Sequence, residues 1–142
     1  MGFTAQTIEE LKARAKRRVP RMFFDYADSG SWTQSTYFAN EADFAKIKFR
    51  QRVAVDMTNR SLASTMIGQD VAMPVAIAPT GFGGMQHPDG EILGAKVARA
   101  FGIPFTLSTM SICSIEDVAE ATDGAPFWFQ LYVMRDRKFM HN

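Results

Sequence analysis

The chain has few of the residues that usually announce chemistry. Its 142 residues include one cysteine, Cys113, and two histidines, His87 and His141. A single thiol excludes an internal disulfide framework and makes a reducing, cytoplasmic compartment the expectation. With no second histidine or cysteine at ligand spacing, His87 in its Gln-His-Pro-Asp turn carries no zinc motif, and no metal is expected. Sixteen Lys and Arg against fifteen Asp and Glu give a net charge of +1, so no global attraction to nucleic acid or an anionic membrane follows. No apolar run approaches the roughly 18 residues of a membrane span, and Met1-Gly2-Phe3-Thr4 does not open a signal peptide. Low-complexity segments and linkers are missing as well, which leaves a single domain as the expectation.

What the chain does contain is a repeat. Val75 to Ala78, Ile103 to Leu107 and Phe127 to Leu131 are short apolar runs about 25 to 30 residues apart, each giving way to polar or glycine residues. Helical periodicity lies between them, which is the pattern of βα units whose strands are buried on both faces. Reactive groups in such folds collect at the carboxyl ends of the strands. Those ends read Pro79-Thr80-Gly81, Ser108-Thr109 and Gln130-Leu131-Tyr132.

Ahead of the repeat, Thr7-Ile8-Glu9-Glu10 has capping-box spacing and predicts a helix over about residues 8 to 18. Pro20 restarts a helix through Asp28, with Tyr26 in its last turn and Ser29-Gly30 as a left-handed stop. Trp32, Tyr37, Phe38 and Phe44 fit one side of a third helix, and Lys46 to Arg50 alternates like an edge strand. Residues 65 to 73 read as a hairpin turning near Gly68. Asp89-Gly90 opens a helix whose Ile92, Leu93, Val97 and Phe101 face a core, and Gly102 ends it. Ser114 to Asp117 opens the next, Asp123-Gly124 turns into the third strand, and Arg135 to Asn142 starts another helix.

Pro79 to Gly84 is a glycine-rich strand end, but Gln86 stands where a dinucleotide fingerprint needs its last glycine, and the P-loop lysine is missing. Spacing alone leaves a tight βα turn and a ligand-contacting loop both open. Ser108 and Gln130 end adjacent strands, where they offer hydrogen bonds to a planar heterocycle or simply finish buried strands. Tyr26 and Tyr132 supply phenols, with core packing the competing reading for Tyr26. Cys113 reads as a packed thiol. Lys12, Arg14, Lys16, Arg17, Arg18 and Arg21 read as a solvated basic helix face rather than a nucleic-acid contact.

Phe24-Asp25-Tyr26-Ala27-Asp28-Ser29-Gly30, Ala78-Pro79-Thr80-Gly81, His87-Pro88-Asp89-Gly90-Glu91, Leu107-Ser108-Thr109 and Phe129-Gln130-Leu131-Tyr132 followed by Arg135-Asp136-Arg137 together resemble the FMN-dependent α-hydroxy-acid dehydrogenase and oxidase family. The resemblance runs from about residue 6 onward, with the five motifs in the family's order. It implies an α/β fold: a partial (β/α)8 TIM barrel of N-terminal helices plus about three βα units. A closed barrel needs roughly 250 residues. The chain is therefore expected to be one incomplete domain over 1–142, with about 1–60 helical and 61–142 forming the first barrel units.

The resemblance also implies an activity, oxidation of an L-2-hydroxy acid, foremost L-lactate, to the 2-oxo acid with FMN as cofactor and an acceptor that differs among members. Tyr26 then binds the substrate carboxylate and Tyr132 contacts the reacting hydroxyl. The backbone of Pro79, Thr80 and Gly81 lies against the flavin ring, and Ser108 and Gln130 bond its polar edge. A homo-oligomer, peripheral at the inner face of the cell membrane, is implied for the whole protein. Met110 stands where several oxidases carry tryptophan, so oxygen reactivity does not carry over. Neither His87 nor His141 occupies the motif of the family's base, and the phosphate-binding loops belong to later strands, so the isolated chain is expected to be inactive. Two other readings compete: a non-catalytic truncated product acting as an interaction piece, and an FMN-binding barrel with isomerase chemistry.

Overall fold

The computed structural model describes residues 5–137, so His141 and most of the helix expected after Arg135 lie outside the described residues. The polypeptide forms two compact units, Met1–Arg60 and Ser61–Asn142.

In the first unit, α1 (Ile8–Arg18) starts where the Thr7 hydroxyl accepts the Glu10 amide at 3.2 Å. The reciprocal half of the box is redirected, because the Glu10 carboxylate accepts the Gln6 amide at 2.8 Å instead. Helix α2 (Arg21–Ala27) takes Pro20 as its N-cap rather than its first residue. It ends without a left-handed glycine: the Ser29 hydroxyl donates to the Asp25 carbonyl at 2.6 Å. Gly30 is needed for space, since a Cβ there would stand 2.7 Å from Tyr37 Cβ. Helix α3 (Ser35–Ala42) runs into a 3₁₀ turn, Asp43–Lys46.

Two expectations fail here. Trp32 precedes α3 and is 99% exposed, and Phe38 and Phe44 are exposed too, so the single aromatic face does not form. Residues 46–50 make no strand either, because alternation alone cannot hold a strand without a partner edge. The unit is tied instead through polar groups. Lys12 Nζ lies 2.5 Å from Asp28 Oδ1, and the Tyr37 hydroxyl donates to the same oxygen at 2.8 Å. Part of the basic face is thus engaged, Lys12 with Asp28 and Arg21 with Asp25.

The second unit opens with an antiparallel hairpin, β1 (Ser64–Met66) and β2 (Gln69–Val71). Ile67 and Gly68 both have positive φ, 49° and 74°, as a type I′ turn requires. The three apolar runs then lie parallel and in order. Ile77 forms a single parallel bridge with Phe105, and β3 (Thr106–Ser108) pairs in parallel with β4 (Trp128–Gln130). The first run is thereby reduced to one bridge, and the third stops at Gln130, two residues before Tyr132.

Helices α4 (Gly83–Gln86), α5 (Gly90–Phe101) and α6 (Ile115–Ala121) fill the connections. Helix α6 carries the reciprocal Ser114–Asp117 capping box, and Gly102, at φ 72°, ends α5. The buried stripe of α5 is Glu91, Ala95 and Ala98, whereas Leu93, Val97 and Phe101 are exposed. Small side chains allow the helix axis to approach the strands closely, and Ala95 and Ala98 join Phe105, Leu107 and Val118 in the core. Among the described residues no helix is long and apolar enough to cross a membrane.

Candidate functional site

Side chains alternate across a strand, so the core position of Phe105 and Leu107 sends Thr106 and Ser108 to the opposite face. The register then sets Trp128 against Thr106 and Gln130 against Ser108 on that same face. The face is thus polar at its carboxyl end. Ser108 is 2% exposed, and its Oγ donates to Gln130 Oε1 at 3.1 Å while accepting the Met110 amide at 3.1 Å. With Oε1 held by Ser108, the Gln130 NH₂ stands at the other side of the same planar carboxamide, at the strand end. Thr109 continues the lacing: its hydroxyl donates to the Gln130 carbonyl and accepts the Tyr132 amide at 3.1 Å.

The Pro79-Thr80-Gly81 segment follows the Ile77 bridge at the same end of the parallel strands. It presents backbone with small side chains, and the Phe82 amide bonds the Met110 carbonyl at 2.9 Å. The later glycines of this loop serve another purpose than a phosphate cradle. A Cβ on Gly84 would lie 2.7 Å from Ile112 Cβ, and one on Gly83 would lie 3.1 Å from Glu91 Cδ. They make room for a buried carboxylate. Glu91 Oε1 accepts the amides of Gly84 at 3.0 Å and Ile112 at 3.1 Å, and Oε2 accepts the Cys113 thiol at 3.4 Å. Burial works to raise the Glu91 carboxyl, but the amides of Ile112, Gly84 and Glu91 itself outweigh it and hold the group below the usual carboxylate range. Burial first, then Glu91, pushes the Cys113 thiol up, which makes it a poor nucleophile.

Of the residues singled out in the sequence, the second unit gathers Ser108 and Gln130 directly and holds Tyr132 through its amide. The Tyr132 side chain, past the end of β4, is 44% exposed. Tyr26 stands on α2 in the first unit and is 53% exposed. His87 is exposed, with Nδ1 2.7 Å from the Pro88 carbonyl. Among the described residues no three His, Cys, Asp or Glu side chains gather to hold a metal. Three residues of this region carry no role of their own in the sequence reading: Glu91 and Thr109, which appear there only within motifs, and Trp128, which lies inside the third apolar run. The one signal for Glu91 was the cluster of glycines at 83, 84 and 90, each of which makes room that a side chain would fill.

This end of the molecule suits a flat polar ring. It combines the Gln130 NH₂ donor, a buried hydroxyl and a loop whose backbone is not screened by large side chains. The chain is 47% identical over 133 residues to an L-lactate dehydrogenase of Ectopseudomonas mendocina, covering 94% of this chain and 35% of that protein. It is 51% identical over 126 residues to an L-lactate dehydrogenase of Chromohalobacter salexigens, covering 89% and 32%. The chain therefore spans about a third of the length of these relatives. A soluble mutant of the membrane-associated (S)-mandelate dehydrogenase from Pseudomonas putida superposes with a TM-score of 0.84 at 37% identity, over 93% of this chain and 38% of that one. A mandelate oxidase superposes with a TM-score of 0.86 at 32% identity, over 96% and 40%. The family model for FMN-dependent dehydrogenases matches residues 15–142, and the chain belongs to that family.

Proposed function

We propose that the native protein carrying this chain oxidises an L-2-hydroxy acid, L-lactate foremost, to the 2-oxo acid with FMN as its resident cofactor. The observation that carries the reading is the Ser108–Gln130 pair, set by parallel register at the strand ends beside the Pro79–Gly81 backbone. On this reading the second unit forms the first βα units of a (β/α)8 barrel, consistent with three parallel segments in chain order and helices in each connection. FMN, when bound, supplies the acceptor for the two electrons that leave the substrate.

The chain's own residues bind and orient. The backbone of Pro79, Thr80 and Gly81 lies against the flavin ring, and Gln130 donates to its polar edge while Ser108 fixes the carboxamide. Tyr26 bonds the substrate carboxylate, and the Tyr132 phenol bonds the hydroxyl that is oxidised. The short-chain acid is favoured over mandelate because the L-lactate dehydrogenases match at higher identity than the mandelate enzymes. A cytoplasmic location, peripheral to the membrane, is supported by the lone thiol and by the membrane-associated P. putida relative. The test is steady-state dye reduction by the native gene product with L-lactate, D-lactate and L-mandelate. The proposal requires the highest kcat/KM with L-lactate; equal rates with both lactate enantiomers would contradict it.

A further inference from the structure

Glu91 is a buried titratable group that the flavin reading leaves without a task. It is 5% exposed, and three segments of the second unit meet at its carboxylate. The residue sits in the first turn of α5, its Oε1 accepts amides from the glycine loop (Gly84) and from the segment after β3 (Ile112), and its Oε2 accepts the Cys113 thiol. The surrounding glycines admit it. A Cβ on Gly84 would meet Glu91 Oε2 at 3.1 Å, and one on Gly90 would meet the Gly83 carbonyl oxygen at 2.7 Å. The loop that Glu91 holds at Gly84 is tied to the same segment a second time, by the Phe82 amide donating to the Met110 carbonyl, and the Met110 amide donates to Ser108 Oγ, which donates to Gln130 Oε1.

We propose that Glu91 is a positioning residue: its carboxylate locks the Pro79–Gly84 loop to the Met110–Cys113 segment and thereby fixes the Pro79–Gly81 backbone relative to Ser108 and Gln130. The inference rests on the flavin reading, because it is the flavin ring that this spacing serves. Reach, and not charge, is what the geometry demands. Both amides bond the same oxygen, so Glu91→Gln keeps both acceptor contacts and turns its NH₂ toward the Cys113 sulfur. Glu91→Asp keeps the charge but is shorter by a methylene and cannot bridge the two segments.

The experiment measures the FMN dissociation constant and amide hydrogen exchange in the native gene product and in Glu91→Ala, Glu91→Asp and Glu91→Gln. Val118→Ala, a core truncation in α6, serves as the control for general destabilisation. A binding constellation works only when its supporting contacts hold it within about 0.5 Å, so Glu91→Ala and Glu91→Asp are expected to weaken FMN by about tenfold or more and to speed exchange at Gly84 and Ile112. Glu91→Gln should stay close to the parent, and Val118→Ala should lose thermal stability while keeping its FMN affinity. If Glu91→Ala does not fold, the Asp and Gln variants carry the same comparison. Glu91→Asp matching the parent, Glu91→Gln failing as Asp does, or Val118→Ala weakening FMN equally would each overturn the inference. A parent that binds no FMN overturns the flavin reading as well, whereas a parent that binds it and variants that bind alike overturn the positioning role alone.

Discussion

Ser108 and Gln130 stand opposite one another in the parallel register of β3 and β4, and the serine hydroxyl fixes the glutamine carboxamide by donating to Oε1 at 3.1 Å. The same hydroxyl accepts the Met110 amide, so Ser108→Ala removes two bonds at once. The expected loss is about 1 to 3 kcal/mol, the cost of leaving polar groups unsatisfied near a buried position, together with weaker FMN binding. Ser108→Thr, which keeps the hydroxyl, should retain most of both. Urea denaturation and FMN titration check this; an unchanged midpoint for Ser108→Ala would show that the pair contributes nothing.

Two glycines should fail for different reasons. Gly84→Ala drives a Cβ to 2.7 Å from Ile112 Cβ, an overpacking expected to cost about 1 to 3 kcal/mol, and it should also weaken FMN. Gly68→Ala meets nothing within 4 Å, but its φ of 74° belongs to the left-handed region, so about 1 to 2 kcal/mol of strain is expected with FMN affinity untouched. Equal FMN affinity in the two variants would separate the glycine loop from the flavin site.

The depressed Glu91 carboxyl gives the second unit a specific acid response. A group lowered in the folded state contributes stability that is fully present above its unfolded pKa, about 4.3 for glutamate, and is lost as pH falls through the folded value. The parent should therefore lose stability below about pH 4.3 more steeply than Glu91→Gln, whose side chain does not titrate. Denaturation midpoints for the two proteins across that range provide the test, and parallel curves would contradict the direction of the shift.

The two phenols should separate in steady-state kinetics. Tyr26→Phe is expected to raise KM, since a lost hydrogen bond to a charged carboxylate is worth roughly 1.5 to 3 kcal/mol. Tyr132→Phe is expected to lower kcat more than it changes KM, provided its bond strengthens in the transition state. Unchanged KM for the first or unchanged kcat for the second would remove that role.

Features set by local chemistry were legible in the sequence. The Ser114–Asp117 box, the Gly102 stop and the order of the three parallel runs depend on neighbours within a few residues or on strong apolar bias. Features set by partners were not. Leu93, Val97 and Phe101 look like a core stripe in a helical projection, yet the strands of this unit pack on Ala95 and Ala98, whose small size lets the helix come close. Lys46 to Arg50 has strand alternation and no partner edge. In the candidate site, Ser108 and Gln130 could be read because polar residues ending apolar runs stand out. Glu91 could not, because a glutamate in a first turn ordinarily complements the helix dipole in solvent, and only the distant Gly84 and Ile112 amides make its burial tolerable.

The most direct measurement is the visible spectrum of the native gene product before and after anaerobic addition of L-lactate. The account predicts a yellow protein with one FMN per chain, bleached by L-lactate with formation of an equivalent amount of the 2-oxo acid, and left unchanged by D-lactate. A protein isolated without flavin, or one whose flavin spectrum no L-2-hydroxy acid alters, would contradict it.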